Sequence, residues 1–189
     1  MKLIRSIALP VLSLIILSSS CKKHVIKPAD QLSLLPPATQ TGANTFGCLI
    51  NGQAFVPKNR SFLVGPIMQC NYIFTSGGYY FEVSGGNNNS SGYPVAVFVQ
   101  TDSLTVSEGQ TLSLTQYATA GMASGSYGIG SLAGILYYYT NQNQSGQLNI
   151  THMDTVKQII SGTFYFNATS SSGDTVKVTN GRFDMPYTR

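Results

Sequence analysis

Asn51-Gly52, set between Phe46–Ile50 and Gln53–Val56, is the feature that most narrows what this chain can fold into. Asn-Gly is the strongest short signal for a two-residue hairpin, because a type I′ turn needs positive φ at both central positions. The same grammar then repeats. Thr75-Ser-Gly-Gly78 separates Asn71–Phe74 from Tyr79–Val83, and Asn141–Gly146 separates Ile135–Thr140 from Gln147–His152. A Ser-Gly-Asp turn separates Gly162–Ala168 from Thr175–Thr179, and Asn180-Gly181 reads as a further turn into Arg182–Met185, with Pro186 suited to a strand end. Between the hairpins lie Pro94–Thr101, dense in β-branched residues, and Gln110–Thr115, where Leu112 and Leu114 alternate with polar neighbours.

Period-two patterning runs through these segments. Phe164, Phe166 and Ala168 fall on one face and Thr163, Tyr165 and Asn167 on the other, as a one-sided core requires. No segment carries convincing helical periodicity, and with only 10% of residues charged, salt-bridged surface helices are not expected. Thr155–Ile160 is the one stretch that fits a helical turn. Gly85–Gly92 reads as a mobile polar loop, and Ser124–Gly128 as a flexible or bulged connection. Many short strands at regular spacing predict a single antiparallel all-β sandwich or barrel.

The N-terminus is of another kind. Lys2 and Arg5 precede the apolar run Ser6–Leu17, then Ser18-Ser19-Ser20 and Cys21. The run is too short to span a bilayer and ends in small residues, so residues 1–20 read as a removable signal peptide. Cys21 stands where bacterial lipoproteins are cleaved and acylated, although Ser18 occupies the place of the usual Leu. An ordinary secretory peptide cleaved nearby is the alternative. Residues 21–43, with Pro28, Pro36, Pro37, Gly42 and a short island of Leu32, Leu34 and Leu35, read as a tether, and 44–189 as one domain.

The formal +4 charge belongs to the leader and tether. Five cations and Asp30 precede Asn44; six cations and six anions follow, so the domain is neutral and carries no nucleic-acid footprint. Lys22, Lys23 and Lys27 can touch anionic head groups or be a solvated linker.

Groups for chemistry are scarce. Cys48 and Cys70 can form a disulfide in an oxidising compartment or remain two buried thiols. His152 is the domain's only imidazole, which speaks against a zinc centre. His152 and Asp154 would share a strand face, yet no nucleophile elbow accompanies them. Glu82 and Glu108 are the two glutamates; Glu82 is expected to face solvent and Glu108 lies in a turn, a poor pair for glycoside hydrolysis. No catalytic residue, metal or cofactor is therefore expected. Tyrosine is the exception: all eleven lie in the domain, with runs at Tyr79-Tyr80 and Tyr137-Tyr138-Tyr139. Exposed tyrosines among Asn and Gln suit a sugar or peptide, although tyrosine is also simply a good strand former.

Leu35–Pro57, with Phe46-Gly-Cys-Leu-Ile-Asn-Gly at its centre, resembles the start of a family of small, uncharacterised Bacteroidetes lipoproteins. Ile160–Phe166 and Thr179–Asp184 resemble that family's C-terminal hairpin. The resemblance implies an all-β domain in the cell envelope and brings no activity or catalytic residues. In such lipoproteins acidic residues after the cysteine accompany surface export. Lys22 and Lys23 stand there instead, which favours an outer-membrane anchor facing the periplasm. Asp102-Ser103-Leu104, Asp154-Thr155-Val156 and Asp174-Thr175-Val176 match the short motif associated with O-glycosylation in exported proteins of those bacteria, or else reflect turn chemistry. The expected function is non-enzymatic binding of a partner protein, glycan or small ligand by a lipid-anchored β-domain. The alternative is an outer-membrane structural or assembly accessory; a hydrolase ranks last.

Overall fold

The computed structural model describes residues 30–58 and 67–189. The expected signal peptide, Cys21 and residues 22–29 of the tether lie outside the described residues. Eleven strands follow in chain order: β1 (Thr45–Ile50), β2 (Gln53–Phe55), β3 (Met68–Thr75), β4 (Gly78–Asn88), β5 (Pro94–Asp102), β6 (Thr111–Leu114), β7 (Met122–Ser131), β8 (Gly134–Tyr139), β9 (Gly146–Asp154), β10 (Ile159–Ser170) and β11 (Thr175–Pro186). Among the described residues the one helical segment is a 3-10 turn at Gln31–Leu34, and no helix is long and apolar enough to cross a membrane.

The strands form one sheet in the order β2-β1-β11-β10-β9-β6-β7-β5-β4-β3, with β8 bridging β7 and β10. The lane between β7 and β10 is thus shared, β8 filling one half and β6 with β9 the other. Pairings between the strands are antiparallel as expected, apart from Leu114 with Ala123 between β6 and β7; an isolated parallel bridge also joins Asn71 to Thr188. The sheet curls over itself. A Cβ on Gly85 of β4 would strike the Phe46 ring of β1, and Thr188, beyond β11, exchanges backbone hydrogen bonds with Cys70 and Tyr72 of β3 at 3.0 and 2.8 Å. Turns β1–β2, β4–β5, β7–β8 and β10–β11 gather at one end, called here the hairpin end; β3–β4, the β5–β6 loop, β9–β10 and the C-terminus gather at the other, the groove end.

Core phenylalanines seat themselves in notches left by glycine. Phe164 lies over Gly181, its direct partner across β10 and β11; Phe166 lies over Gly125, and Phe183 over Gly162. Three expectations are corrected. Ser124–Gly128 is not a flexible connection but the buried middle of β7, small because Phe166 occupies the space above it. Gly85 likewise belongs to β4, which runs on to Asn88 and leaves a shorter turn than a Gly85–Gly92 loop. Asn180-Gly181 is not a turn either. It is a bulge within a continuous β11, with Asn180 at φ 53° and the register shifting between Phe164 and Phe166.

Residues 30–43, expected as tether, lie against the sheet. Leu35 is buried and Pro36 covers Gly47, so Phe46, Gly47 and Cys48 are buried in succession where alternation would expose one of them. The anchor of this strap is Asp184, 1% exposed. Its carboxylate accepts from Thr39 Oγ1 (2.7 Å), Thr41 N (2.9 Å), Gly42 N (2.8 Å), Ala43 N (3.1 Å) and Ser161 Oγ (2.8 Å). Burial alone would raise this carboxyl; the hydrogen bonds from Thr39, Thr41, Ala43 and Ser161 outweigh it and hold the group far below the usual carboxylate range.

Cys48 and Cys70 are free buried thiols, which corrects the disulfide reading in favour of two small hydrophobes in the core. Burial pushes both thiols up, with Glu82 adding to the effect at Cys70. Neither is expected to react with a thiol reagent until the domain unfolds, when both should titrate in a single step. Reaction of Cys70 in the folded state would contradict its packing.

Candidate ligand groove

The groove end is built around the β3–β4 turn. Ser76 and Gly77 both take positive φ, 50° and 82°, which closes a two-residue turn and sets Phe74 directly across from Tyr79. Tyr72, two residues back on the same face, stacks on Tyr79 with ring centroids 4.9 Å apart, and Phe74 meets Tyr79 edge-on at 5.0 Å. The Tyr72 hydroxyl donates to Val106 O at 3.5 Å and accepts from Val106 N at 3.4 Å, which ties the aromatic wall to the β5–β6 loop. Burial raises this phenol, the Val106 bond opposes it, and Tyr79 and Tyr187 raise it further, so it stays protonated.

The same loop brings in Glu108. Its carboxylate accepts from Met153 N at 2.9 Å and pairs with His152 Nδ1 at 3.0 Å. The C-terminal Arg189 donates to Thr155 O at 2.8 Å and lies over the Tyr187 ring, 5.9 Å from its centroid. Together these segments enclose an open groove of about 550 Å³. Its wall is an aromatic cluster, and its lining includes one carboxylate and one guanidinium. That chemistry holds a ring or an apolar side chain by stacking and its polar groups by charge-assisted hydrogen bonds.

The sequence-expected tyrosine surface is divided. Tyr79 lines the groove; Tyr80 points to the opposite face, its hydroxyl 3.0 Å from Ser103 Oγ. On β8 Tyr137 and Tyr139 stack at 5.8 Å, and Tyr117 of the β6–β7 loop meets Tyr139 at 4.3 Å. Tyr138 turns inward against Tyr127 at 5.6 Å, a packing role. Ser103, Thr155 and Thr175 are all exposed, and Thr155 also lines the groove.

The catalytic alternatives do not assemble. His152 pairs with Glu108, while Asp154 caps the β9–β10 turn by accepting from Val156 N (2.9 Å) and Lys157 N (2.8 Å). Glu82 is half-buried rather than solvent-facing, and burial raises its carboxyl against the Ser84 hydrogen bond that lowers it. Among the described residues no three His, Cys, Asp or Glu side chains converge.

Sequence reasoning overlooked Tyr72, Phe74, Val106 and Arg189. The hairpin register already placed Phe74 opposite Tyr79, a signal that was present; nothing local marks Val106 or Arg189, which arrive through the β5–β6 loop and the C-terminal crossing to β3. No curated protein and no solved structure matches the chain. The family described as a domain of unknown function (DUF6252) matches residues 91–185, from just before β5 to the end of β11, half of the chain, and the chain belongs to that family.

Proposed function

We propose that this is a lipid-anchored, non-enzymatic cell-envelope protein whose β-domain holds a glycan or a peptide segment of a partner in the groove at its open end. The observation that carries the binding reading is the aromatic wall of Tyr72, Phe74 and Tyr79 in a groove that also holds Glu108 and Arg189. A concave, largely apolar site with a few fixed polar groups is the usual form of a ligand site. Cys21 after three serines supports the anchor, and Lys22 and Lys23 in the place of acidic residues support a periplasm-facing orientation at the outer membrane. The exposed hydroxyls of Ser103, Thr155 and Thr175 support O-glycosylation.

The test is mass spectrometry of the protein from its native envelope, first under native and then under denaturing conditions. A mass excess that vanishes on denaturation, and that is missing in Tyr79→Ala, is the expected result; equal retention by the variant would sink the groove as the site. An excess that survives denaturation and maps to Ser103, Thr155 or Thr175 reports glycans, whereas a bare denatured mass excludes them.

A further inference from the structure

The opposite end of the molecule has its own chemistry. Leu132, in the β7–β8 turn, is 94% exposed, and Ile135, Leu136 and Tyr137 behind it are exposed as well. From Gly109 to Met153 the chain contains no Asp, Glu, Lys or Arg, so the β7–β8 hairpin itself is uncharged. Apolar side chains exposed together on one hairpin tip suit an interaction surface.

A second apolar pair stands on the same rim. The register row Asn87–Val95–Ile129–Leu136 crosses β4, β5, β7 and β8, and Leu34 shares a small pocket with Asn87 and Lys58. Leu32 and Leu34 are therefore exposed near the level of Leu136, with the uncharged Asn89–Tyr93 turn between the two groups. Among the described residues, Asp30 caps the 3-10 turn through Leu32 N, and Asp174 and Lys177 lie on the β10–β11 hairpin next to β8.

The strap also has a direction. It begins beside Ala54, which bonds Gln31, and ends at Asp184 toward the groove end. The chain before Asp30 therefore joins on the hairpin side.

We propose that the hairpin end rests on a lipid surface, with Leu132, Ile135 and Leu136 entering the interfacial layer and Lys58 meeting head groups. The proposal rests on the reading of Cys21 as acylated. An anchor there leaves residues 22–29, eight residues spanning at most about 28 Å, which limits how far this end of the sheet can stand from the bilayer. Tyr137, exposed three residues behind Gly134 on β8, has the amphipathic chemistry of interfacial aromatic belts. A second copy of the chain is disfavoured: at Gly134–Tyr137 β8 offers an edge of four residues, and Leu132 projects beyond it.

The experiment uses the acylated full chain in phosphatidylethanolamine–phosphatidylglycerol vesicles, carrying an environment-sensitive fluorophore at Leu132→Cys or at Val156→Cys. Val156 is 91% exposed in the β9–β10 turn at the groove end, and the buried Cys48 and Cys70 leave the introduced thiol as the target. The Leu132 probe is expected to shift to the blue and to lose about half its emission or more to brominated lipid, since an interfacial side chain sits within ~5–10 Å of the acyl boundary. The Val156 probe should show neither change. An acylated, vesicle-bound chain whose Leu132 probe stays unquenched overturns this proposal alone. An intact mass without acyl groups overturns the anchored reading and this proposal with it. A Leu132 shift that grows with protein concentration without vesicles assigns the face to a second copy and overturns the lipid surface.

Discussion

Asp184→Ala is expected to lower the stability of the domain by about 4 kcal/mol, because one buried carboxylate satisfies donors from both the strap and β10. Removing it leaves Thr41, Gly42 and Ala43 N–H groups without their acceptor and frees the strap. For a domain of this size the melting temperature should fall by about 10 °C. The strap should also become the first site of proteolytic cleavage. Asp184→Asn is expected to lose nearly as much, since its amide turns donors toward donors. The pH dependence follows from the depressed carboxyl. A group with a lowered folded value contributes its full stability above its unfolded value, about 3.9 for aspartate, and loses it as pH falls toward the folded one. The gap between wild type and Asp184→Ala should therefore be constant from neutral pH down to about pH 5 and shrink below pH 4. A gap as wide at pH 3 as at pH 7 in denaturant titrations would show that Asp184 does not act through its charge.

The second large effect concerns the glycine notches. A Cβ at Gly181 would lie 2.5–2.6 Å from three atoms of the Phe164 ring, so Gly181→Ala must displace a core aromatic at a cost of about 3 kcal/mol. Phe164→Leu shortens the side chain that causes the clash. The double variant should thus be less destabilised than the sum of the singles by about 1 kcal/mol or more. Gly52→Ala supplies the contrast. It meets nothing within 4 Å but sits at φ 81°, so its cost of about 1 kcal/mol is conformational and no partner substitution relieves it. Additive behaviour of Gly181→Ala with Phe164→Leu would remove the notch account.

These glycines also explain what could be read from the sequence. The hairpins at Asn51-Gly52 and Ser76-Gly77 were legible because turn chemistry is local, and Phe164–Ala168 was legible because one face is apolar. Ser124–Gly128 misled because small residues in a strand look like a linker until the ring above them is known. Asn180-Gly181 carried the right backbone preference, positive φ at Asn180, but the chain used it for a bulge. The strap was hidden for a similar reason: Leu35-Pro-Pro has a tether's composition, and only the remote Asp184 makes it part of the fold. In the groove, Tyr79 could be chosen from sequence, whereas Arg189 depends on how the last residues cross to β3.

The pairing of β1 with β11 also sets a timetable for the chain's life. Thr45 finds Asp184 and Phe46 finds Phe183 across nearly the whole length of the β-domain. As a ribosome delivers the N-terminus first, β1 has only the short β2 for company until the last strand emerges. Folding of the domain is thereby postponed until β11 has emerged, and contacts this distant in sequence form slowly. The nascent chain stays threadable for as long as it is incomplete, and truncation of even the final strand leaves the first one without its partner.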